Sequence, residues 1–405
     1  MLVAGTNGKG STAALVAAAG TAAGYRTGLY TSPHLEDVEE RVRLDGARIA
    51  GEELGALVLE TIAAAGRALP SPPTYFEALT AAALLHFRRR EVELAVLEVG
   101  LGGRLDATNA ADPAVSAIAP VSLEHREVLG DSLAAIAREK AGVMRSGRPT
   151  AAWAADPEVA AALAAAAAAA GAVLVRADRE VRIVSAAPLP DRPWGGQRLV
   201  LVSPAGRLEL AVPLLGPHQA VNAALAARTA ELLAADGWPR LGPEALVRAA
   251  SRWRWPARLE AVELPPGAPC RRVLLDAAHN PAAAAALAAF LAAPPSPLLA
   301  PPAVLFGVLA DKDAAAMLAT LAPRASRLVL TAPPSPRARP PESLLPLVPA
   351  GTPAEAVPDT AAALDRVLDA AGETGADTLV VCGSIYLAGA IRRLLRERFG
   401  VPEPA

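Results

Sequence analysis

The chain has 405 residues, a length that is enough for two or three domains. Hydrophobic residues make up 53% of it and charged residues 20%, a composition too apolar for a disordered chain. A formal net charge of −2 argues against a general binder of nucleic acid or anionic membranes, and two cysteines exclude a disulfide scaffold or a cysteine-rich metal site. The sequence contains neither a membrane-like apolar stretch nor a signal peptide, so we expect a cytoplasmic protein.

Short apolar runs alternate with helical patterns in the first half of the chain. The runs that predict buried strands are residues 2–4, 27–31, 93–99, 115–119 and 150–153. Helices are predicted at residues 11–23, 78–87, 132–141 and 218–235, and another begins at Pro157 with Asp156 as its N-cap. Residues 199–202 and 207–212 flank a turn and predict a hairpin. This alternation is typical of βαβ units and indicates a mostly parallel sheet.

The alternation resumes after a Pro-Pro-Gly loop at residues 265–267. Strands are predicted at residues 272–275, 303–308, 327–331 and 378–382, and helices at residues 282–291, 313–321, 360–371 and 385–399. We therefore expect an α/β protein with a larger N-terminal domain, residues 1–256, and a smaller Rossmann-like C-terminal domain, residues 257–405.

A glycine-rich segment follows the first predicted strand and opens the first predicted helix. Its residues are Gly5, Thr6, Asn7, Gly8, Lys9, Gly10, Ser11 and Thr12. Glycines let backbone N–H groups approach phosphate oxygens, and a helix N-terminus favours anions. Lys9 can reach the β- and γ-phosphates, and Ser11 or Thr12 can lie near Mg²⁺, although Gly10 interrupts the strict P-loop pattern. We therefore predict a P-loop-type ATPase domain that binds ATP through this segment.

The loop and a second segment carry a family resemblance. With its extra glycine, the loop resembles that of the Mur ligase superfamily of ATP-dependent amide-bond synthetases. Its letters GTNGKGS are most similar to the folylpolyglutamate synthase/dihydrofolate synthase family. Residues 98–109, EVGLGGRLDATN, resemble the signature of that family almost letter for letter. The resemblance runs from Val3 to about Arg393 and implies a Mur-ligase-like ATP-binding domain followed by a glutamate-ligase domain.

Four residues are candidate ligands of two Mg²⁺ ions. Glu98 ends a predicted strand, and a carboxylate at the carboxyl end of a parallel strand faces the crevice where ligands bind. The resemblance implies that Ser32 and His125 are also ligands. It further implies that CO₂ carbamylates Lys140, which then binds the second ion; this requires a neutral amine and thus a lowered pKa. Lys9, His125 and Lys140 are accordingly the predicted catalytic residues.

The resemblance also implies where the substrates bind. Asn222 is expected near the adenine or ribose of ATP, Arg258 near its phosphates and Asp276 near its ribose. The residues expected at the folate and glutamate sites are Phe76, Asp106, Thr108, Asn109, His279 and Ser384. Thr74 and Glu77 have the spacing of a capping box around Phe76, so helix initiation and stacking on a pterin ring both stay open there.

Three positions depart from the family pattern. Glu124 stands where the family usually has aspartate, which puts the orienting role of that acid in question. Ala257 and Ala277 each stand in place of a glycine. At Ala277 the side chain predicts a backbone without positive φ.

The resemblance implies the formation of an amide bond. ATP would phosphorylate the terminal carboxylate of a folate or of dihydropteroate, and the amine of L-glutamate would displace phosphate from the acyl phosphate. These small molecules are the expected partners, without nucleic acid or membrane, and a monomer is the expected state. The family carries several tens of residues before the loop, so we expect either an earlier start or a partly lost pterin pocket. Two alternatives stay open: another Mur-type amino-acid ligase acting on a nucleotide-linked peptidoglycan precursor, and a non-catalytic ATP-binding remnant.

Overall fold

The computed structural model describes residues 1–401, and the chain forms two compact units. The first unit consists of Met1–Ala186, Arg198–Pro213 and His218–Trp253. The second consists of Ala187–Gln197, Leu214–Pro217 and residues 254–401. The domain boundary that we placed between residues 256 and 257 stays a prediction.

The first unit is built on a sheet of eight strands within the described residues. They are β1 (Leu2–Ala4), β2 (Thr27–Tyr30), β3 (Val42–Leu44), β4 (Ala47–Arg48), β5 (Leu94–Glu98), β6 (Ser116–Ile118), β7 (Pro149–Ala152) and β8 (Val173–Arg176). The order is β4-β3-β2-β5-β1-β6-β7-β8, in which β3 and β4 are antiparallel to their neighbours and the other pairs are parallel. The central strands are apolar and buried, as expected for a parallel sheet that is covered by helices on both faces.

Helices alternate with these strands, as the sequence predicts. They are α1 (Lys9–Ala22), α2 (Gly51–Ala68), α3 (Tyr75–Arg89), α4 (Arg126–Leu129), α5 (Leu133–Lys140), α6 (Pro157–Ala170), α7 (Ala177–Glu180), α8 (Pro217–Ala235) and α9 (Pro243–Ala250). Asp156 caps α6 by accepting hydrogen bonds from the backbone N–H groups of Glu158 and Val159, which confirms that predicted start. The predictions omitted α2, α4, α7 and α9.

A small sheet follows, with the order β11-β10-β9. Its strands are β9 (Arg182–Pro188), β10 (Gln197–Ser203) and β11 (Gly206–Val212). Only Pro204 and Ala205 separate β10 from β11, so these two strands form the predicted hairpin. The third strand, β9, was not predicted.

The second unit has a six-stranded sheet of order β12-β13-β17-β14-β15-β16 in the part of the chain that the structure describes. Its elements are β12 (Glu260–Glu263), β13 (Arg272–Leu275), α10 (Pro281–Ala292), β14 (Ala303–Phe306), α11 (Ala314–Leu321), β15 (Arg327–Leu330), β16 (Ala354–Ala356), α12 (Thr360–Thr374), β17 (Thr378–Cys382) and α13 (Ile385–Phe399). Only β12 is antiparallel. The predicted α/β class, a mostly parallel sheet followed by a smaller Rossmann-like unit, is therefore confirmed.

Short 3₁₀ helices complete the description. They are Val38–Arg41, Ala107–Ala110, Ala141–Val143, Pro193–Gly195, Ala322–Arg324 and Pro341–Leu347. None of the helices in residues 1–401 has the length and apolar character that a membrane span requires.

Candidate active site

The predicted phosphate loop runs from β1 into α1 and depends on two glycines. Gly5 and Gly8 have φ values of +142° and +90°, which other residues rarely adopt. A Cβ on Gly5 would lie 2.7 Å from Cβ of Ala119, and a Cβ on Gly8 would overlap Oδ1 of Asn222. Glycine is thus needed at both positions for backbone conformation and for close packing.

The loop is held by the segment that follows β6. The backbone N–H of Thr6 donates to the carbonyl oxygen of Pro120 at 3.0 Å, and the hydroxyl of Thr6 accepts from the N–H of Ser122 at 3.1 Å. Nδ2 of Asn7 lies 3.4 Å from Oγ of Ser122, and Nζ of Lys9 donates to the carbonyl oxygen of Thr6 at 3.1 Å. The ammonium group of Lys9 therefore lies within the loop that is predicted to bind phosphate.

Lys140 is the last residue of α5, and its side chain is only 4% exposed. Its Nζ donates a hydrogen bond of 2.8 Å to the carbonyl oxygen of Gly5 in the phosphate loop. Burial, and to a smaller extent the positive charge of Lys9, lower the pKa of Lys140 from its ordinary value of 10.5 to about 7, while Glu124 opposes the change. The direction of this shift agrees with the neutral amine that carbamylation requires. Carbamylation itself stays a prediction.

Ser32 and Glu98 meet at the carboxyl edge of the first sheet. Glu98 ends β5 opposite Val3 of β1, so its carboxylate lies at the strand end from which the phosphate loop leaves. The backbone N–H of Ser32 donates to Oε2 of Glu98 at 3.1 Å, and Glu98 is only 6% exposed. Two of the four predicted metal ligands are therefore adjacent.

His125 begins α4 in a left-handed conformation with a φ of +51°, which is uncommon for a residue other than glycine. Its Nε2 lies 4.0 Å from Oε1 of Glu124, whose side chain is nearly buried at 8% exposure. Within residues 1–401, no group of three or more His, Cys, Asp and Glu side chains is placed to hold a metal ion. A magnesium site that also uses Ser32 and Lys140 stays a prediction.

The glycine-rich loop after β5 packs against the end of α5. The backbone N–H of Arg104 donates to the carbonyl oxygen of Glu139 at 3.0 Å, and the two side chains form an ion pair at 3.1 Å. A Cβ on Gly103 would lie 2.8 Å from the carbonyl oxygen of Lys140, and a Cβ on Gly142 would overlap Cα of Arg104. The glycine-rich loop and the end of α5 are therefore packed against each other, and this packing positions the backbone of Lys140.

Three residues predicted at the substrate site stabilise this same loop. The Asp106 carboxylate accepts hydrogen bonds from the N–H of Leu101 at 2.9 Å and from the N–H and hydroxyl of Thr108 at 3.0 Å and 2.6 Å. Oδ1 of Asn109 accepts from Nη2 of Arg145 at 2.8 Å. These contacts explain why such residue types stand here, and a role of Asp106, Thr108 and Asn109 in substrate binding stays a prediction.

Phe76 lies beside the loop, in the first turn of α3. Its ring centroid is 6.1 Å from that of Tyr30, and a Cβ on Gly100 would lie 2.6 Å from its Cζ. The capping box around it is confirmed, because the N–H of Thr74 donates to Glu77 at 2.7 Å and the N–H of Glu77 donates to Thr74 at 3.3 Å. Stacking of Phe76 on a pterin ring stays a prediction.

Two buried contacts reach the phosphate loop from later parts of the first unit. Asn222 of α8 packs on Gly8, and its Nδ2 donates to Oε1 of Gln219 at 2.9 Å. Nε1 of Trp253 donates to the carbonyl oxygen of Ser11 at 2.9 Å, and its ring is almost fully buried. Asn222 was predicted to contact adenine or ribose, and the structure places it against the loop.

Asp276 and Arg258 lie in the second unit. The Asp276 carboxylate follows β13 and accepts from the N–H of Leu259 and the N–H of Ala278, both at 2.8 Å. Nη1 of Arg258 donates to the carbonyl oxygen of Ala257 at 3.2 Å. Asp276 therefore holds the segment that contains Arg258 through the N–H of Leu259. Contacts of Asp276 and Arg258 with ATP stay predictions.

His279 and Ser384 lie at the same edge of the second sheet. Nδ1 of His279 is 2.7 Å from the carbonyl oxygen of Ala277, and Oγ of Ser384 accepts from the N–H of Tyr386 as the cap of α13. The N–H of Gly383 donates to the carbonyl oxygen of Ala278 at 2.8 Å, which joins the two loops. Ala277 has no positive φ, as predicted.

Two family models match this chain. One, described as the Mur ligase middle domain, matches residues 3–230, and the other, the glutamate ligase domain of Mur ligases, matches residues 257–385. A folylpolyglutamate synthase of Lacticaseibacillus casei is 36% identical over 401 residues, which cover 97% of this chain and 89% of that protein. The chain belongs to the folylpolyglutamate synthase/dihydrofolate synthase family.

Some members of this family are much longer. A probable bifunctional folylpolyglutamate synthase/dihydropteroate synthase of Halobacterium salinarum is 38% identical over 96% of this chain. The aligned part covers only 46% of that protein, so the chain spans about half the length of this relative.

Solved structures of the family have the same fold. Mycobacterium tuberculosis folylpolyglutamate synthase complexed with ADP superimposes with a TM-score of 0.87 at 34% identity, covering 100% of this chain and 91% of that one. Escherichia coli FolC in complex with DHPP and ADP gives a TM-score of 0.83 at 33% identity, covering 98% of this chain and 88% of that one.

The residues of the first unit fit a nucleotide and a hard cation. Oγ1 of Thr12, in the first turn of α1, is buried without a hydrogen-bond partner among the described residues. Ser32 and Glu98 offer oxygen donors, which are the ligands that Mg²⁺ prefers. The glycines of the loop leave backbone N–H groups free of side-chain bulk where phosphate oxygens would bind.

The site predictions from sequence omitted Gly142 and Trp253, and they considered Glu124 only as an orienting acid. Glu124 acts on the pKa of Lys140 through its charge, and Gly142 permits the close approach of the glycine-rich loop to α5. The signal for Gly142 is its place at the end of the segment EKAG, residues 139–142, which contains Lys140. Nothing in the sequence signals the contact of Trp253 with Ser11, because the two residues are 242 positions apart.

Proposed function

We propose that this chain is an ATP-dependent ligase that joins L-glutamate to a folate or to dihydropteroate. The observation that carries the proposal is the hydrogen bond of 2.8 Å between Nζ of Lys140 and the carbonyl oxygen of Gly5. It joins a buried amine with a pKa of about 7 to a loop of phosphate-binding conformation. A structural lysine would gain nothing from such burial, because removing an ammonium group from water is costly.

ATP supplies the γ-phosphoryl group that converts the terminal carboxylate of the acceptor substrate into an acyl phosphate. The amine of glutamate attacks the acyl carbon, the C–N bond forms, and phosphate leaves with the electrons of the C–O bond. Lys9 and the N–H groups of the loop stabilise negative charge on the phosphoryl group during its transfer. The protein thus contributes to phosphoryl transfer by positioning the reactants and by stabilising negative charge.

Ser32, Glu98, His125 and Lys140 are the residues that would hold Mg²⁺, with Lys140 as a carbamate. Magnesium, when bound, neutralises charge on the phosphates and on the acceptor carboxylate. The neutral fraction of the Lys140 amine is the form that reacts with CO₂. The short contact between Ser32 and Glu98 supports their membership in the same site.

The remaining parts of the proposal concern the substrates and the setting. Phe76 and the loop of Asp106, Thr108 and Asn109 are proposed to border the pterin ring. Asn222, Arg258 and Asp276 are proposed to bind ATP, and His279 and Ser384 to bind glutamate. A monomeric, cytoplasmic enzyme fits the proposal.

The test is ADP release by the purified chain with ATP, Mg²⁺ and glutamate, offered dihydropteroate and tetrahydrofolate separately, with product masses recorded. One added glutamate on either substrate is the expected result, and the reaction without glutamate measures background hydrolysis. ATP binding without any product would favour a non-catalytic remnant. ADP release that depends on glutamate and on a nucleotide-linked peptidoglycan precursor, and not on dihydropteroate or tetrahydrofolate, would favour another Mur-type ligase.

A further inference from the structure

Lysine is almost absent from this chain. Lysine and arginine together number 39, and only Lys9, Lys140 and Lys312 are lysines. Apart from five histidines, every other basic side chain is an arginine. Arginine therefore supplies most of the positive charge of this protein, and a lysine is uncommon at any position.

The first two lysines lie at positions with a specific chemical requirement. Lys9 places its ammonium group inside the phosphate loop, 3.1 Å from the carbonyl oxygen of Thr6. Lys140 is a buried amine with a lowered pKa. An arginine could replace neither one, since its guanidinium is a broad planar fork that stays protonated. The third lysine is the one to which no role has been assigned.

Lys312 lies in the loop between β14 and α11. Its side chain is only 11% exposed, although lysine is ordinarily a surface residue, and its Nζ is 3.4 Å from Oδ2 of Asp311. The loop leaves the carboxyl end of a central parallel strand of the second sheet. That edge is where open α/β sheets bind ligands.

Contacts connect this loop with residues already proposed to bind substrates. The N–H of Gly307 donates to the carbonyl oxygen of Cys382 at 3.2 Å, two residues before Ser384. The N–H of Gly383 donates to the carbonyl oxygen of Ala278, next to His279. A Cβ on Gly383 would lie 2.5 Å from the carbonyl oxygen of Gly307, so the loops are closely packed.

We propose that Lys312 is a substrate-binding residue whose ammonium group contacts an oxyanion of the ligase reaction. The inference rests on the proposed function. A carboxylate of glutamate and a phosphate of ATP both offer negatively charged oxygens that accept hydrogen bonds from an ammonium group. The experiment below distinguishes the two. Asp311 holds the ammonium group in position before the substrate arrives.

The competing explanation is a local ion pair between Lys312 and Asp311 without contact to substrate. This protein builds such pairs with arginine, as between Arg366 and Glu355 at 2.9 Å in the same unit. A mere ion pair would therefore tolerate arginine at position 312. A binding site for one oxyanion would not, because the longer, planar guanidinium places its donors elsewhere.

The experiment compares steady-state kinetics of the wild type, Lys312→Arg, Lys312→Ala and a control, Arg324→Lys, an exposed arginine of the same unit. We expect both variants at position 312 to raise the KM of one substrate by roughly 10-fold or more, the loss typical of a charge-assisted hydrogen bond. A rise for glutamate identifies its carboxylate, and a rise for ATP identifies a phosphate. Unchanged KM values for both substrates in Lys312→Arg would overturn the proposal.

Chemical labelling keeps the proposal testable if a variant fails to fold. With only three lysines, an amine-reactive reagent followed by peptide mass analysis reports on Lys312 separately. Glutamate or an ATP analogue should slow its modification in the wild-type protein, and modification at an unchanged rate with both would contradict the proposal. If the wild type makes no product at all, the proposed function fails first, whereas an active enzyme with an insensitive Lys312 refutes only this inference.

Discussion

Nζ of Lys140 and the carbonyl oxygen of Gly5 are joined by a buried hydrogen bond of 2.8 Å across 135 residues of sequence. Gly5 is the first residue of the phosphate loop, and Lys140 is the last residue of helix α5. The amine of Lys140 therefore contacts the phosphate loop directly. A substitution at either residue should change the conformation of the other.

Replacement of Lys140 by alanine should abolish turnover, because the variant lacks the amine that is proposed to become a metal-binding carbamate. A small carboxylic acid in the assay should restore part of the activity by occupying the space of the missing carboxylate. ADP release and product mass measure both effects. Normal turnover by Lys140→Ala would remove this residue from the mechanism.

The lowered pKa of Lys140 should also make stability depend on pH. Below about pH 7 folding must bury a charged ammonium group, and between about pH 7 and the ordinary value of 10.5 the unfolded chain binds more protons than the folded one. In buffers free of CO₂ and Mg²⁺, where the amine is not carbamylated, stability of the wild type should therefore rise with pH relative to Lys140→Met by up to about 1.4 kcal/mol per pH unit in this window. Thermal unfolding of both proteins from about pH 7 to pH 10 measures the difference. Parallel curves would show that the amine titrates normally.

Glycine at position 142 should be required for packing, and glycine at position 55 should not. A Cβ on Gly142 would overlap the backbone of Arg104, so Gly142→Ala should destabilise the protein by roughly 1–3 kcal/mol and lower turnover by displacing Lys140. At Gly55, in exposed α2, a methyl group would meet nothing within 4 Å, so Gly55→Ala should stabilise by about 0.5–1 kcal/mol. Denaturant unfolding compares them. Equal effects would contradict the packing explanation.

Two alanines that replace family glycines should respond in opposite ways to restoration of glycine. Ala257 has a φ of +52°, which costs a residue with a Cβ roughly 1–2 kcal/mol, so Ala257→Gly should be neutral or stabilising by about 0.5 kcal/mol. Ala277 has no such strain and is buried, so Ala277→Gly should destabilise by about 1–2 kcal/mol. The shift of the unfolding transition measures each. Equal destabilisation would show that the backbone at Ala257 carries no strain.

Local sequence was sufficient for the elements that bear the site. Short apolar runs predicted β1, β5 and β6, because strands covered on both faces contain few polar residues. Asp156 and Pro157 marked the first residue of α6, whereas the helix predicted at residues 78–87 began three residues later than α3 does. The small sheet was only partly predicted, since β9 is largely exposed and has no apolar run.

The sequence by itself determined the α/β class, the phosphate loop and the presence of a carboxylate at the end of β5, since these depend on neighbouring residues and on periodicity. Only the tertiary structure decided the pKa of Lys140, because its lowering requires burial of the amine against Gly5 and near Lys9. It also decided that Asn222 packs against Gly8. Such contacts join residues far apart in the chain, and their energies depend on distance and solvent access, which no local pattern encodes.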